Sequence, residues 1–360
     1  MDNTIKTQHL QTLYGYRQQL RRFPVLKFLF LELTLRCNER CLHCGSSCGD
    51  VMSNEMPVQK YFEFLDKIKQ DFKELPMLCI TGGEPLLRRE FFDILGYANK
   101  LGFNWGMTSN GTLITKEVAR RLKETGMKTI SISIDGIEET HDEFRRTKGG
   151  FKKAVEGVKN LLEQNFEAVQ VTTVVTKKNI SQLDSLFELM CELDVDSWRV
   201  INIEPIGRAL KLDGYTLDTE DYRRMFDFIR EKRNSGFPVM YGCSHFLGLD
   251  YEREVRDWYF LCNAGIYTAS IMANGDIGAC LDIERRPETI QGNILSDDFT
   301  DVWYNRFEIF RTALSDKNEK CKSCDSCSFC EGGSYHSWNY DDNRQMVCFK
   351  DILNQSCAAF

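Results

Sequence analysis

Three features of this 360-residue chain predict an α/β fold with a parallel sheet, followed by a smaller cysteine-rich α+β region. Strand-like and helix-like segments alternate over the first 210 or so residues, the pattern of successive βαβ units. That alternation stops after Leu210. The cysteines are spread unevenly: of fifteen, eight lie between Cys243 and Cys348, four of them within residues 321–330. Six strand–helix repeats suit an open, partial (β/α)6 barrel of the TIM-like kind, which holds ligands at the C-terminal strand ends.

In chain order, residues 1–25 read as a polar helical lead-in to the apolar segment Val25–Leu35. Pro76–Thr81 is a strand followed by Gly82-Gly83-Glu84-Pro85. Phe103–Ser109 is a strand, and Lys116–Thr125 a helix. Lys128–Ile134 is a strand ending in Asp135-Gly136, and a long helix covers Phe151–Gln164. Val169–Thr176 is a strand, Gln182–Leu193 a helix, and Trp198–Ile203 the sixth strand. Thr219–Asn234 reads as a linker helix. Ile266–Met272 and Asp276–Cys280 flank Ala273-Asn274-Gly275, a hairpin signal with glycine at the turn. A short helix, Thr300–Ala313, precedes the last cysteines. The expected division is a lead-in over 1–25, a barrel over 26–212, a linker helix over 213–240 and a cysteine-rich domain over 241–360.

Composition narrows the function classes. The chain is 42% hydrophobic and 28% charged, with a formal charge of −7, which argues against a nucleic-acid groove as the main partner surface. Arg17, Arg21 and Arg22 form the one local basic cluster on the N-terminal helix, more in keeping with solvated side chains. Apolar runs fall short of a membrane span, and MDNTIKTQHL lacks the pattern of a signal peptide, so the expected location is cytoplasmic. Cysteines in that compartment stay reduced, which points to metal clusters rather than disulfides. The terminal Cys357-Ala-Ala-Phe resembles a prenylation box, with nothing else to support lipidation.

Chemistry concentrates in Cys37-Asn38-Glu39-Arg40-Cys41-Leu42-His43-Cys44. Three thiolates on a loop leaving a strand cannot complete a four-thiolate site. They suggest a [4Fe–4S] cluster with one iron open to a small molecule; a zinc knuckle borrowing a distant fourth ligand is the other reading. The spacing resembles the radical S-adenosylmethionine (SAM) superfamily, in which SAM chelates the open iron. Gly82-Gly83-Glu84-Pro85, after the next strand, is by itself as consistent with a plain strand-to-helix turn; glycines there let the backbone approach a ligand closely. Beside the cysteine loop it resembles the superfamily motif that binds the amino group of SAM. The resemblance carries SAM ribose and carboxylate contacts onto Ser133, Asn110 and Asp135. It also makes Arg145 or Arg146 a partner for the SAM carboxylate, with a solvated helix-end arginine as the alternative. His43 would pack on the adenine rather than ligate metal. Glu204-Pro205-Ile206-Gly207-Arg208-Ala209 resembles a family segment that contacts SAM.

The C-terminal cysteines resemble the SPASM extension of radical SAM peptide-modifying enzymes, which holds two auxiliary [4Fe–4S] clusters. By that resemblance Cys321, Cys324, Cys330 and Cys348 bind an outer cluster, and Cys262 and Cys280 an inner one. The family has a further cysteine where this chain has Ser334. Cys243 and Cys327 are the candidates to replace it, and an inner cluster with an open iron is the rival. Asp282, two residues past Cys280, matches loosely an acidic residue that deprotonates substrate in sulfatase-maturing relatives. Cys79 and Cys191 read as small core residues.

The resemblance implies an enzyme. A flavodoxin- or ferredoxin-type donor supplies an electron, SAM is cleaved, and a 5′-deoxyadenosyl radical abstracts hydrogen from an unactivated carbon. The substrate expected first is a precursor peptide or protein, undergoing crosslinking, thioether formation, epimerisation or side-chain oxidation. A small-molecule radical enzyme, such as a dehydrogenase of sugars or tetrapyrroles, is the alternative. A non-catalytic zinc-binding protein is the remote one.

Overall fold

Seven strands follow one another in parallel register: β1 (Phe28–Glu32), β2 (Met77–Thr81), β3 (Trp105–Ser109), β4 (Met127–Ser133), β5 (Ala168–Val175), β6 (Ser197–Asn202) and β7 (Val239–Tyr241). The computed structural model describes residues 2–49 and 54–354, so Cys357 and its terminal box lie outside the described residues. The helices are α1 (Asn3–Arg22), α2 (Val58–Asp71), α3 (Phe91–Leu101), α4 (Lys116–Glu124), α5 (Glu139–Arg145), α6 (Gly150–Leu162), α7 (Leu183–Leu193), α8 (Thr219–Asn234) and α9 (Phe299–Asn305). Helices between the strands turn a narrow apolar stripe to the core: α2 buries Tyr61, Phe64, Leu65 and Ile68, and α6 buries Ala154, Val158 and Leu161. Starts are capped as the residue types dictate. Thr115 accepts from the Val118 amide at α4, and Asp218 with Asp221 forms a capping box at α8.

The sheet has more strands than the six read from the sequence. β7 extends one edge. At the other, β8 (Thr268–Ile271) pairs parallel with β1, and β9 (Asp276–Gly278) and β10 (Gly292–Asn293) follow antiparallel. The order is therefore β10-β9-β8-β1-β2-β3-β4-β5-β6-β7, an open ten-stranded sheet. The hairpin expected at Ala273–Gly275 forms, with Gly275 at φ +92°, and it continues the barrel's own sheet. The helix expected over Thr300–Ala313 stops at Asn305, because Arg311 folds back to donate to the carbonyls of Trp303, Tyr304 and Gly265.

One face of the sheet is core and the other is half-open. On β5, Val169 and Val171 are buried while Gln170 and Thr172 are half-buried, and β1, β2 and β4 show related alternation. A parallel sheet packed on both faces would be apolar throughout. Here the second face borders a cavity of about 950 Å³, lined near the N-terminal strand ends by Phe28, Gln170, Arg199 and Met240 and by His9 and Tyr16 of α1. Cys79 is half-buried, on the Phe30 side of the sheet, and Cys191 is exposed; neither is the core residue the sequence suggested. The basic cluster of α1 is likewise not a solvated patch. Arg17 is buried and donates to the Phe329 and Phe260 carbonyls, and Arg21 forks onto Glu331.

Candidate functional site

The loop carrying Cys37, Cys41 and Cys44 leaves the C-terminal end of β1, and neighbouring backbone clamps it from several sides. The Cys37 amide donates to Gly49 and the Gly49 amide to Leu35, closing the loop's base at 3.0 Å in each case. The Arg40 and Leu42 amides donate to the carbonyls of Arg145 and Phe144 at the end of α5. The Glu204–Ala209 segment after β6 closes the other side: the Arg208 amide donates to Cys44, and its guanidinium to the carbonyls of Cys41 (2.8 Å) and Cys48 (2.7 Å). Gly207 lies at φ +53°, and a Cβ there would stand 2.2 Å from the Gly45 carbonyl oxygen.

The three thiols face one another closely enough to couple electrostatically. Burial pushes Cys37 up to about 11 and Cys41 higher still, so these protons leave readily only when a cation takes their place. Cys44 is drawn down to about 6, first by its hydrogen bond with Cys48. Amides of Glu39 and Cys48 point at the sulfurs of Cys37 and Cys44, at 3.4 and 3.3 Å, the type of contact that tunes iron–sulfur clusters. This donor set fits an iron–sulfur cluster.

Gly82-Gly83-Glu84-Pro85 presses on that loop. The Gly83 amide donates to Thr34 at 2.7 Å and the Glu84 amide to Arg36 at 2.9 Å. A Cβ on Gly83 would lie 2.1 Å from the Arg36 carbonyl oxygen and one on Gly82 2.4 Å from that of Thr34, so what the glycines demonstrably admit is the cysteine loop's own backbone. Pro85 opens a short 3-10 turn. The Glu84 carboxylate is fully buried and points away from open space. It accepts from the Ser109 hydroxyl and the amides of Asn110 and Leu86, and burial pushes it up to about 7. Asn110 joins β3 to the cysteine loop through Asn38 at 2.8 Å.

Arg145 is neither free for a ligand nor solvated. Its guanidinium bonds Asp135 at 2.7 Å and Glu39 at 3.0 Å, and all three side chains are buried. Asp135 also accepts from the Val174 amide. Arg145 and Asp135, the expected SAM contacts, thus lie with Glu39 in a buried ion cluster beneath the cysteine loop, while Arg146 is exposed at the αL end of α5. His43 stacks on Phe144 at 4.3 Å and 7°, which occupies one ring face, and burial lowers it to about 4. Ser133, the last residue of β4, is half-buried.

The auxiliary cysteines sort into two places. Cys321, Cys324, Cys330 and Cys348 line one cavity of about 600 Å³, and Cys327 lines it with them. Cys327 thus joins the outer group rather than the inner, since it opens the same helical turn that ends at Cys330. Cys262 and Cys280 are close enough to couple, with Ser334 within hydrogen-bonding reach of the Cys262 thiol. The Ser334 hydroxyl donates to the Ser244 carbonyl. Cys243 is not brought to them. It is buried among Tyr241, Asn202, Arg199 and Glu204, while the next residue, Ser244, makes that contact with Ser334. Asp282 is exposed, 3.9 Å from where a Cβ of Gly45 would be and close to Cys280 and His336.

A family model of the radical SAM superfamily matches residues 31–190, and one of the SPASM iron–sulfur cluster-binding domain matches 262–328. An AdoMet-dependent heme synthase of Methanosarcina barkeri is 30% identical over 84% of this chain and 89% of its own. The chain belongs to the radical SAM superfamily. As a member with a SPASM region it is an enzyme that binds a [4Fe–4S] cluster and SAM, with further iron–sulfur binding in the C-terminal third. The mycofactocin maturase MftC of Mycolicibacterium smegmatis is 31% identical over 84% of this radical SAM chain and 76% of the maturase. Streptococcus suis SuiB bound to its precursor peptide SuiA shares the fold, at TM-score 0.74 and 21% identity over 95% of this chain and 79% of SuiB. No described helix is long and apolar enough to cross a membrane.

Sequence reasoning placed Cys48 near the first cluster without a role, and missed Glu39 and the pair His245 and His336. Glu39 and Cys48 lie within or beside the cysteine motif, where any polar neighbour is a candidate. The two histidines carry no local spacing signal.

Proposed function

We propose that this radical SAM protein modifies a ribosomally made peptide or protein by hydrogen abstraction, leading to a crosslink, a thioether, an epimerised centre or an oxidised side chain. The observation that carries the reading is the 31% identity to a maturase across 84% of the chain, supported by SuiB, which has this fold and takes a precursor peptide. When bound, the cluster and SAM supply a 5′-deoxyadenosyl radical. Cys37, Cys41 and Cys44 hold the cluster, and backbone of Gly82 and Gly83 receives the SAM amino group. Ser133 and Asn110 contact SAM near the strand ends, while the ring face of His43 turned away from Phe144 takes the adenine. Arg208 and the Arg145–Asp135–Glu39 group keep the loop rigid. Asp282 is placed to take a substrate proton, and Cys262 and Cys280 would hold an auxiliary cluster able to supply an electron sink. Cys321, Cys324, Cys330 and Cys348 hold the outer cluster, with Cys327 in reserve. A flavodoxin- or ferredoxin-type protein donates the electron.

The test is anaerobic incubation of enzyme, SAM and reductant with short peptides encoded beside this chain, read by mass spectrometry. A mass change in one peptide, dependent on Cys41, is the expected outcome. A second reading, modification of an iron tetrapyrrole, is favoured by the heme synthase relative at 30% identity. Unchanged peptides together with a spectral change in added iron coproporphyrin would establish that reading instead.

A further inference from the structure

Three polar side chains outside both cysteine groups meet at the end of β6. Glu204 follows that strand, His245 follows β7, and His336 lies in the short turn Tyr335–Ser337. One ligand atom from each lies within 4.8 Å of the others. His245 Nε2 is 2.7 Å from Glu204 Oε1, and His336 Nε2 is 3.9 Å from Glu204 Oε2. The two imidazole rings are 5.5 Å apart and inclined at 59°.

The second carboxylate oxygen is what needs explaining. Glu204 Oε2 is buried, yet accepts no hydrogen bond among the described residues. Buried polar atoms are rarely left so. The contact with His245 satisfies Oε1 and does nothing for Oε2. The gap to His336 is too long for a hydrogen bond. It is close to the roughly 3.4 Å that separates two donors sharing one ion at bonds of about 2.1 Å.

We propose that Glu204, His245 and His336 form a mononuclear site for a divalent first-row metal ion, Zn²⁺ or Fe²⁺, with a coordination position left for a substrate donor. Two imidazoles and a carboxylate are a ligand set of catalytic zinc and of non-haem iron(II). Supporting contacts of the kind that orient metal ligands are in place. The Asn202 amide donates to Glu204 Oε1 at 2.8 Å and is itself held by the Tyr241 hydroxyl at 2.6 Å. Arg256 fixes the His245 carbonyl at 2.6 Å. Asp282 lies near His336 and Gly45, so the site borders the ground between the Cys44 loop and the Cys280 loop. A Lewis acid there would anchor a carboxylate, imidazole or thiolate of the substrate. This inference stands whether the substrate is a peptide or a tetrapyrrole.

The test uses the cluster-loaded enzyme, equilibrated with zinc chloride and desalted anaerobically. Elemental analysis counts zinc and iron, and zinc-edge X-ray absorption identifies the ligand atoms. The wild-type protein should retain about one zinc per chain in a shell of nitrogen and oxygen with imidazole scattering. Glu204→Gln and His336→Ala should bind zinc at least about 100-fold more weakly with iron unchanged, and Asn202→Ala about 10–100-fold more weakly. Should the alanine variant lose iron, His336→Gln, which keeps a polar side chain of similar bulk, takes its place. No zinc retained above the Glu204→Gln level, or a shell dominated by sulfur, would overturn the proposal.

Discussion

The Cys37–Cys44 loop and the cysteine-rich region after Cys243 serve the same kind of cofactor but are held in different ways. The loop is gripped by main chain: amides and carbonyls of Thr34, Arg36, Gly49, Phe144, Arg145 and Arg208 meet it, and Gly83 and Gly207 allow the approach. The later region is gripped largely by long side chains. Arg17, Arg21, Arg256 and Arg311 reach across to carbonyls or buried carboxylates. A main-chain grip fixes position within narrow tolerance, which a loop presenting three thiols to one cluster requires. A side-chain grip spans longer gaps between short elements, and is more easily altered one residue at a time.

Substitutions should expose that contrast. The largest effect belongs to Cys41→Ala, which should abolish 5′-deoxyadenosine formation while iron at the auxiliary cysteines persists; chromatography of the nucleoside with iron analysis reads both. Gly83→Ala comes next, since its Cβ would fall 2.1 Å from a carbonyl oxygen that cannot retreat. It should cost several kcal/mol, about 3 or more, and release the first cluster before the others, as visible absorption during denaturation would show. Arg17→Met, in the side-chain-held region, should cost about 2–3 kcal/mol and loosen α1, measured by amide exchange in that helix, with SAM cleavage largely kept. The smallest effect is on pH dependence. Glu84 is held protonated by burial up to about 7 against an ordinary 4.5, so its contribution is complete below 4.5 and is lost as pH rises toward 7. Glu84→Gln should flatten stability across that window.

Much of this was legible in the sequence because strand ends carry their own punctuation. Gly82-Gly83, Ser109-Asn110-Gly111 and Asp135-Gly136 fall at the C-terminal ends of β2, β3 and β4, and the cysteine spacings identify themselves. α2 and α3, absent from the sequence reading, follow the same logic: Tyr61, Phe64, Leu65 and Ile68 have plain helical spacing. What a motif cannot tell is where its side chain points. Glu84, Asp135 and Arg145 sit in motifs expected to meet a ligand, and all three side chains turn inward to protein partners. Cys243 and Cys327 were assigned by cysteine count, yet the thiol of one is buried among Tyr241, Asn202, Arg199 and Glu204 and a helical turn ties the other to Cys330. His245 and His336 come together through the β6–β7 edge and a late turn, a meeting no local pattern announces.

The parallel pairing of β1 with β8 has a consequence for how the molecule is made. Phe28–Leu31 is among the first strands to leave the ribosome, and Thr268–Ile271 among the last. Until the later segment emerges, β1 presents one unpaired, apolar edge to whatever is nearby. Such non-local closure slows folding and exposes nascent chains to aggregation. A fragment ending before Thr268, although it contains Cys37, Cys41, Cys44 and Gly82–Pro85, should therefore associate through that edge, and sedimentation would show it as multimers.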